Sequence, residues 1–237
     1  MFRIIGLCLA AAITLTGPAK ADSHSLDKAA MDALFRAYIE ENADVVRDAL
    51  VALANREEAE RKEAAFSLLR DVDGDPEMGN PDGDIVIYEF TDYNCGYCKR
   101  VFEPIQQVLA EDGNIRFVVK EFPILSQTSL TAAQAGIAAA AQGVFTPYHV
   151  AMMTGRSAVS AESILQAAAD AGADMDRLQA DMQSDTVNSI ITRTREIAQR
   201  LEINGTPALV IGDTVVPGAI GIDELRQLIA DERAKNS

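Results

Sequence analysis

Two cysteines three positions apart, Cys95 and Cys98, enclose Gly96 and Tyr97 and are the residues here best suited to chemistry. A Cys-x-x-Cys pair serves either as half of a zinc site or as a redox couple. Zinc needs two further ligands, and beyond residue 21 the only imidazoles are His24 and His149. The redox reading needs nothing more than the pair. If a helix starts there, Cys95 sits at its N-terminus, where free backbone N–H groups and the helix dipole favour a thiolate. Cys95 is then the attacking sulfur, and Cys98, one turn in, the resolving one.

Other residues bear on the same chemistry. Glu89 stands six positions before Cys95 inside the apolar run Ile85-Val86-Ile87-Tyr88-Glu89-Phe90. It is either an outward-facing surface group or a buried acid that exchanges protons with Cys98. Periodicity alone favours neither. Gly205-Thr206-Pro207 precedes a strand-like run, so Pro207 either opens an edge strand or forms a cis bond in a functional loop. His149 reads as a packed or surface residue rather than a catalytic one. Lys99 and Arg100 either add positive potential near Cys95 or form a solvated face.

The elements that must position these residues are legible from periodicity. Residues 85–90 read as a buried strand, and Val101, Phe102, Ile105, Val108 and Leu109 mark a helix running on from the cysteines. Pro104 should kink that helix. Residues 115–119 read as a second strand, completing a strand–helix–strand unit suited to parallel pairing. Residues 126–201 read as mostly helical, with Thr146-Pro147 opening one helix and Ser160 and Asp174 as caps. Ala208 to Ile211 is a strand, Gly212-Asp213 a tight hairpin turn, and a last helix spans about residues 222–230.

Upstream, residues 22–70 form a helical extension with a break near Asn42. Its apolar positions are Leu34, Tyr38 and Ile39, then Val45, Val46, Ala49, Leu50 and Leu53. This is either a solvated helix packed on the main domain or an oligomerisation stalk whose thin apolar stripe another helix must cover. Residues 71–83 read as a solvated acidic linker to a domain spanning 84–237. Asp71, Asp73 and Asp75 resemble the start of a calcium loop, but Pro76 and Asp82 stand where such loops carry glycine and glutamate.

Composition bounds the rest. The 237 residues are 48% hydrophobic and carry a net charge of −15, which argues against nucleic acid or anionic lipid as a partner. Residues 1–21 read as a cleavable secretory signal: Arg3, an apolar stretch from Ile4, and Ala19-Lys20-Ala21 as the cleavage site. Cys8 follows Leu7, which does not suit a lipoprotein anchor. Removal of the signal takes away Arg3, Lys20 and Cys8, leaving two cysteines and a charge that moves from −15 to −17. In an oxidising compartment those two cysteines have only each other.

With Tyr88-Glu89-Phe90, Cys95-Gly96-Tyr97-Cys98-Lys99, the helical block and Gly205-Thr206-Pro207-Ala208 in place, residues 80–235 resemble the DsbA-like thiol–disulfide oxidoreductases of the thioredoxin fold. The stretches Leu34 to Ile39 and Asn42 to Val46 are similar to the leading segment of the suppressor-of-copper-sensitivity protein C subgroup, with Ala43 where relatives often have proline. The resemblance implies an α/β thioredoxin fold with a helical insertion and an N-terminal helical extension. It implies Cys95 as nucleophile, Glu89 buried below the pair, and Thr206 and Pro207 in a cis-proline loop that meets substrate. It further implies a periplasmic enzyme without bound cofactor, client proteins with cysteines, and a membrane redox partner that resets the thiols. Homo-oligomers through residues 22–70 and disulfide isomerase activity belong to the same expectation. An oxidase is the alternative, and a copper(I)-binding or chaperone module using the two thiolates a further one.

Overall fold

The structure, a computed structural model, describes residues 27–156 and 158–236. The expected signal segment and His24 lie outside the described residues. The chain divides into two units, residues 1–54 and 55–237.

In the first unit, helix α1 spans Lys28–Glu41 and ends at Asn42, whose side-chain amide donates to the Tyr38 carbonyl at 2.8 Å. Helix α2, Ala43–Arg70, starts directly after it. Met31, Leu34, Phe35, Tyr38 and Ile39 recur at helical spacing along α1, and all are exposed. Val45, Val46, Leu50 and Leu53 extend the exposed apolar set along α2.

The second unit is built on a five-stranded sheet in the order β1-β3-β2-β4-β5. Strand β2 (Ile85–Thr91) runs into α3 (Gly96–Glu111), which returns as β3 (Ile115–Glu121), parallel to β2. Five helices follow: α4 (Gln127–Ala140), α5 (Phe145–Thr154), α6 (Ala161–Asp170), α7 (Met175–Met182) and α8 (Asp185–Arg200). Strand β4 (Ala208–Ile211) then pairs antiparallel with β2, turns at Gly212 with φ +57°, and pairs with β5 (Thr214–Pro217) before α9 (Ile222–Lys235). The positive φ favours glycine, which has no Cβ to clash.

The sheet separates two apolar layers, and strand alternation decides which residue enters which. Ile85 and Ile87 face α3, α9 and most of the helical block; Tyr88 and Phe90 face the other way, toward Ala65, Phe66 and Leu69 of α2 and Ile197 and Ala198 of α8. Glu89 has the parity of Ile85 and Ile87, so it points into the layer that holds Cys98.

Several expectations change in detail. Residues 71–83 are not a solvated linker throughout. Glu77–Gly79 forms β1, antiparallel to β3 at the sheet edge, and Asp75 is buried against Lys120 and Arg193. Burying Asp75 is tolerable only because those two cations face it. The extension is likewise not separate as far as residue 70, since Ala65, Phe66 and Leu69 are core residues. The N-cap of α5 is Val144, ahead of Thr146, with no side-chain cap bond. Ser160 and Asp174 cap as expected, at Ser163 N and Arg177 N. Pro104 lies inside α3, which runs unbroken from Gly96 to Glu111.

Candidate active site

Cys95 is the N-cap of α3: its backbone is extended and its sulfur accepts the Cys98 N–H at 3.4 Å. The turn before it is tied by Asp92, whose carbonyl accepts from Cys95 N at 2.9 Å. Opposite, the Thr206–Pro207 bond is cis, and the Cys95 thiol donates to the Thr206 carbonyl at 3.2 Å. Cysteines, helix start and proline loop thus meet, although 111 positions separate Cys95 from Thr206. Only 6% of Cys95 is exposed, and Cys98 is fully buried.

The electrostatics divide the two sulfurs. The hydrogen bond from Cys98 is the largest influence on Cys95. Together with the Thr206 side chain and the N–H groups of Cys98 and Tyr97 it outweighs burial and lowers the Cys95 thiol to about 5. Cys98 moves the other way: burial, its bond to Cys95 and the charge of Glu89 push its pKa far up. Cys95 is therefore the thiolate at neutral pH, and Cys98 keeps its proton.

Glu89 is wholly buried, and neither carboxyl oxygen has a hydrogen-bond partner among the described residues. Burial lifts its pKa to about 8; Thr91 opposes this, and negative charge on Cys95 adds to it. Of the two readings open in the sequence, the outward-facing one is wrong. Lys99 donates to the Gly155 carbonyl at 2.9 Å, and the Arg100 guanidinium lies 3.9 Å over the Tyr97 ring. His149 is buried and in contact with Tyr93, and among the described residues no group of three or more His, Cys, Asp or Glu side chains forms a metal-binding cluster.

Two site residues went unnoticed in the sequence. The buried Asp92 carboxylate accepts from Asn94 N at 2.8 Å and from Ile124 N and Leu125 N at 2.9 and 3.0 Å. Asn94 in turn faces the hydroxyls of Ser126, Thr128 and Ser129. These bonds fix the turn ahead of Cys95 to the loop carrying the exposed Ile124 and Leu125. The Asp-x-Asn step is a recognisable turn cue; its partner loop, more than thirty positions away, is not. On the other side of the sulfur, Tyr97 is 60% exposed. A groove of about 380 Å³ runs between Tyr97, Arg100, Thr206 and Ile220.

A family model described as thioredoxin matches residues 71–231. The chain belongs to the thioredoxin family. A thioredoxin-like oxidoreductase from Silicibacter pomeroyi is 36% identical and superposes with a TM-score of 0.65, covering 69% of this chain and 94% of that one. The catalytic domain of Proteus mirabilis ScsC is 26% identical at a TM-score of 0.67, covering 74% and 98%. The thiol-disulfide exchange protein alpha-DsbA2 of Wolbachia pipientis is 27% identical at 0.63, covering 72% and 97%. The neighbours are thus the DsbA-like and ScsC proteins that the motif resembles. Among curated proteins, a Na(+)/H(+) antiporter NhaA of Mycolicibacterium gilvum is 28% identical over 153 residues, or 62% of this chain. The chain spans about a quarter of the length of the curated relatives it matches. In this thioredoxin-family chain, Cys95, Cys98, Glu89, Thr206 and Pro207 occupy one end of the sheet, where β2 and β4 meet the start of α3.

Proposed function

We propose that this protein is an exported, periplasmic thiol–disulfide oxidoreductase acting on client proteins as a disulfide isomerase or reductase. The observation that carries thiol–disulfide exchange is a lowered Cys95 thiol at a helix start, 3.2 Å from the cis-proline loop and backed by the buried Cys98. The isomerase or reductase direction rests on the exposed apolar N-terminal helices, which suit paired active sites. The Cys95 thiolate attacks a client disulfide, forming a mixed disulfide and expelling the second client sulfur as thiolate. In isomerisation another client thiolate attacks the client sulfur bonded to Cys95. Cys95 leaves as thiolate, with no net oxidation. In reduction Cys98 attacks Cys95 instead; the client departs with both electrons and the protein is left as the disulfide.

Glu89 serves the second route. Once Cys95 is in the mixed disulfide its negative charge is gone, and with it one of the influences raising Glu89. The carboxyl then ionises more readily and takes the Cys98 proton, which passes on to the departing thiolate. Thr206 and Pro207 receive the client backbone beside the sulfur. A membrane redox partner returns electrons to the disulfide form, and no bound cofactor is needed.

The exposed apolar stripe of residues 31–53 supports a homo-oligomer formed through the N-terminal helices, which would present several active sites to one client. Its test is the solution mass with and without residues 22–54, which spares the core residues Ala65, Phe66 and Leu69. An equal protomer count removes the oligomer reading.

One observation favours an oxidase instead. A stabilised Cys95 thiolate stabilises the reduced form, so the disulfide is readily donated. The deciding experiment adds the reduced protein at catalytic concentration to a scrambled-disulfide substrate. Strong reactivation supports the isomerase. No reactivation, with rapid oxidation of a reduced substrate by the disulfide form, replaces it with the oxidase.

A further inference from the structure

Behind the cysteines lies a second buried polar group that the exchange chemistry leaves unused. Tyr93, two positions before Cys95, donates its hydroxyl to Glu121 Oε1 at 2.8 Å and lies 2.9 Å from His149 Nδ1. Tyr93, Glu121 and His149 are all completely buried. Glu121 is the last residue of β3 and pairs in register with Thr91, so the sheet itself delivers the carboxyl to the point where the turn toward Cys95 departs. Helix α4 has a glycine there: a Cβ on Gly136 would lie 2.8 Å from Glu121 Oε1 and 3.0 Å from the Tyr93 oxygen. The Tyr93 ring is further held edge-on to Tyr148 and His149, with centroids 5.8 and 5.5 Å away.

Hydrogen counting constrains the cluster. Tyr93 has one hydroxyl proton and gives it to Glu121, so the short contact to His149 is satisfied when Nδ1 carries a proton and donates to the phenol oxygen. Buried charge is expensive without a countercharge. The groups whose charge acts on Glu121 include Tyr93, Tyr148, Asp92, Glu89 and Asp75, and none of these is a cation. Burial accordingly raises Glu121 well above the usual carboxyl range and lowers His149 to about 3. All three side chains are neutral near pH 7.

Resting on the exchange reading of the site, we propose that Glu121 is a positioning residue: through Tyr93 it holds the Asp92–Cys95 turn so that the Cys95 sulfur meets the Cys98 N–H and the Thr206 loop. Asp92 holds the same turn from its exposed side, through Asn94 and the Ile124–Leu125 loop. Tyr93 holds it from the core. A turn released on the core side moves the N-cap sulfur relative to the donors that stabilise its thiolate.

The test is the pH dependence of Cys95 alkylation, with the equilibrium constant against glutathione as second readout, in the reduced full-length mature protein. Tyr93→Phe and Glu121→Ala should each raise the Cys95 pKa by about one unit, lowering thiolate reactivity at about pH 5 by about five- to sixfold. They should also make the disulfide less oxidising. Glu121→Gln, which keeps a neutral acceptor, should restore the parent profile. Should Tyr93→Phe fail to fold, Gly136→Ala displaces the same two oxygens and is read in the same way. Parent-like profiles in both Tyr93→Phe and Glu121→Ala overturn the inference. So does a Cys95 pKa in Glu121→Gln below that of the parent, since that means Glu121 was charged. A parent with a depressed Cys95 and unchanged variants overturns this inference alone; a parent whose Cys95 titrates as an ordinary thiol overturns the reading of the site as well.

Discussion

Replacing Cys95 by serine tests the central electrostatic claim through stability rather than activity. An ordinary thiol titrates near 9 and Cys95 at about 5. The folded value is the lower one, so the thiolate contributes stability that is complete above the unfolded pKa and is lost as pH falls through the folded one. At pH 7 the unfolded thiol is still protonated, so only the interval from about 5 to 7 counts. At about 1.4 kcal/mol per pH unit this gives about 2.7 kcal/mol. Cys95 is itself only 6% exposed, but it is flanked by the open Tyr97 side chain, and screening by nearby solvent reduces the figure to about 1–2 kcal/mol. Urea unfolding of the reduced protein and of Cys95→Ser should therefore give stabilities that diverge by that amount at about pH 7. The difference should widen toward about pH 9 and close below about pH 5. Two curves that stay parallel from acid to neutral pH would falsify the stabilised thiolate. With it would go the assignment of Cys95 as the attacking sulfur.

Other substitutions probe the remaining parts of the site. Cys98→Ser should trap mixed disulfides between Cys95 and clients, visible as adducts on non-reducing gels; a variant that turns over reduction like the parent removes Cys98 as resolving thiol. Glu89 has a folded pKa of about 8 against an ordinary 4.5, so its burial lowers stability as pH rises between those values, by about 3 kcal/mol at pH 7. Glu89→Gln should recover part of this and flatten the pH dependence of stability, while slowing release of the mixed disulfide. Unchanged release kinetics would exclude the proton-transfer role. Lys120→Met leaves the buried Asp75 with Arg193 alone and should cost about 3–5 kcal/mol in denaturant unfolding. A loss below about 1 kcal/mol would show that residues 71–76 are not held by this pair.

Local signals account for much of what was legible in advance. The run from Ile85 to Phe90, the cysteine spacing and the helical periodicity after it define a strand–helix–strand unit, because each face of a strand or helix writes its burial into neighbouring positions. The break at Asn42, the caps at Ser160 and Asp174 and the turn at Gly212-Asp213 are equally local. The two cysteines could be named because no other cysteine lies beyond residue 21, whereas Thr206 and Pro207 entered as site residues through the family resemblance.

Only the tertiary structure decided the rest. Glu89 is buried because β3 and β4 flank its strand and α3 covers that face, facts that alternation within one strand does not contain. Residues 71–83 look like a solvated linker by composition; pairing of Glu77–Gly79 with β3, and of Asp75 with Lys120 and Arg193, makes part of them core. Glu121 and His149 acquire a role only where β3 and α5 bring them to one tyrosine. Sequence by itself determined which side chains can do the chemistry and which elements carry them. The charge state and partner of each depend on solvent exclusion by segments distant in the chain, and folding supplies that.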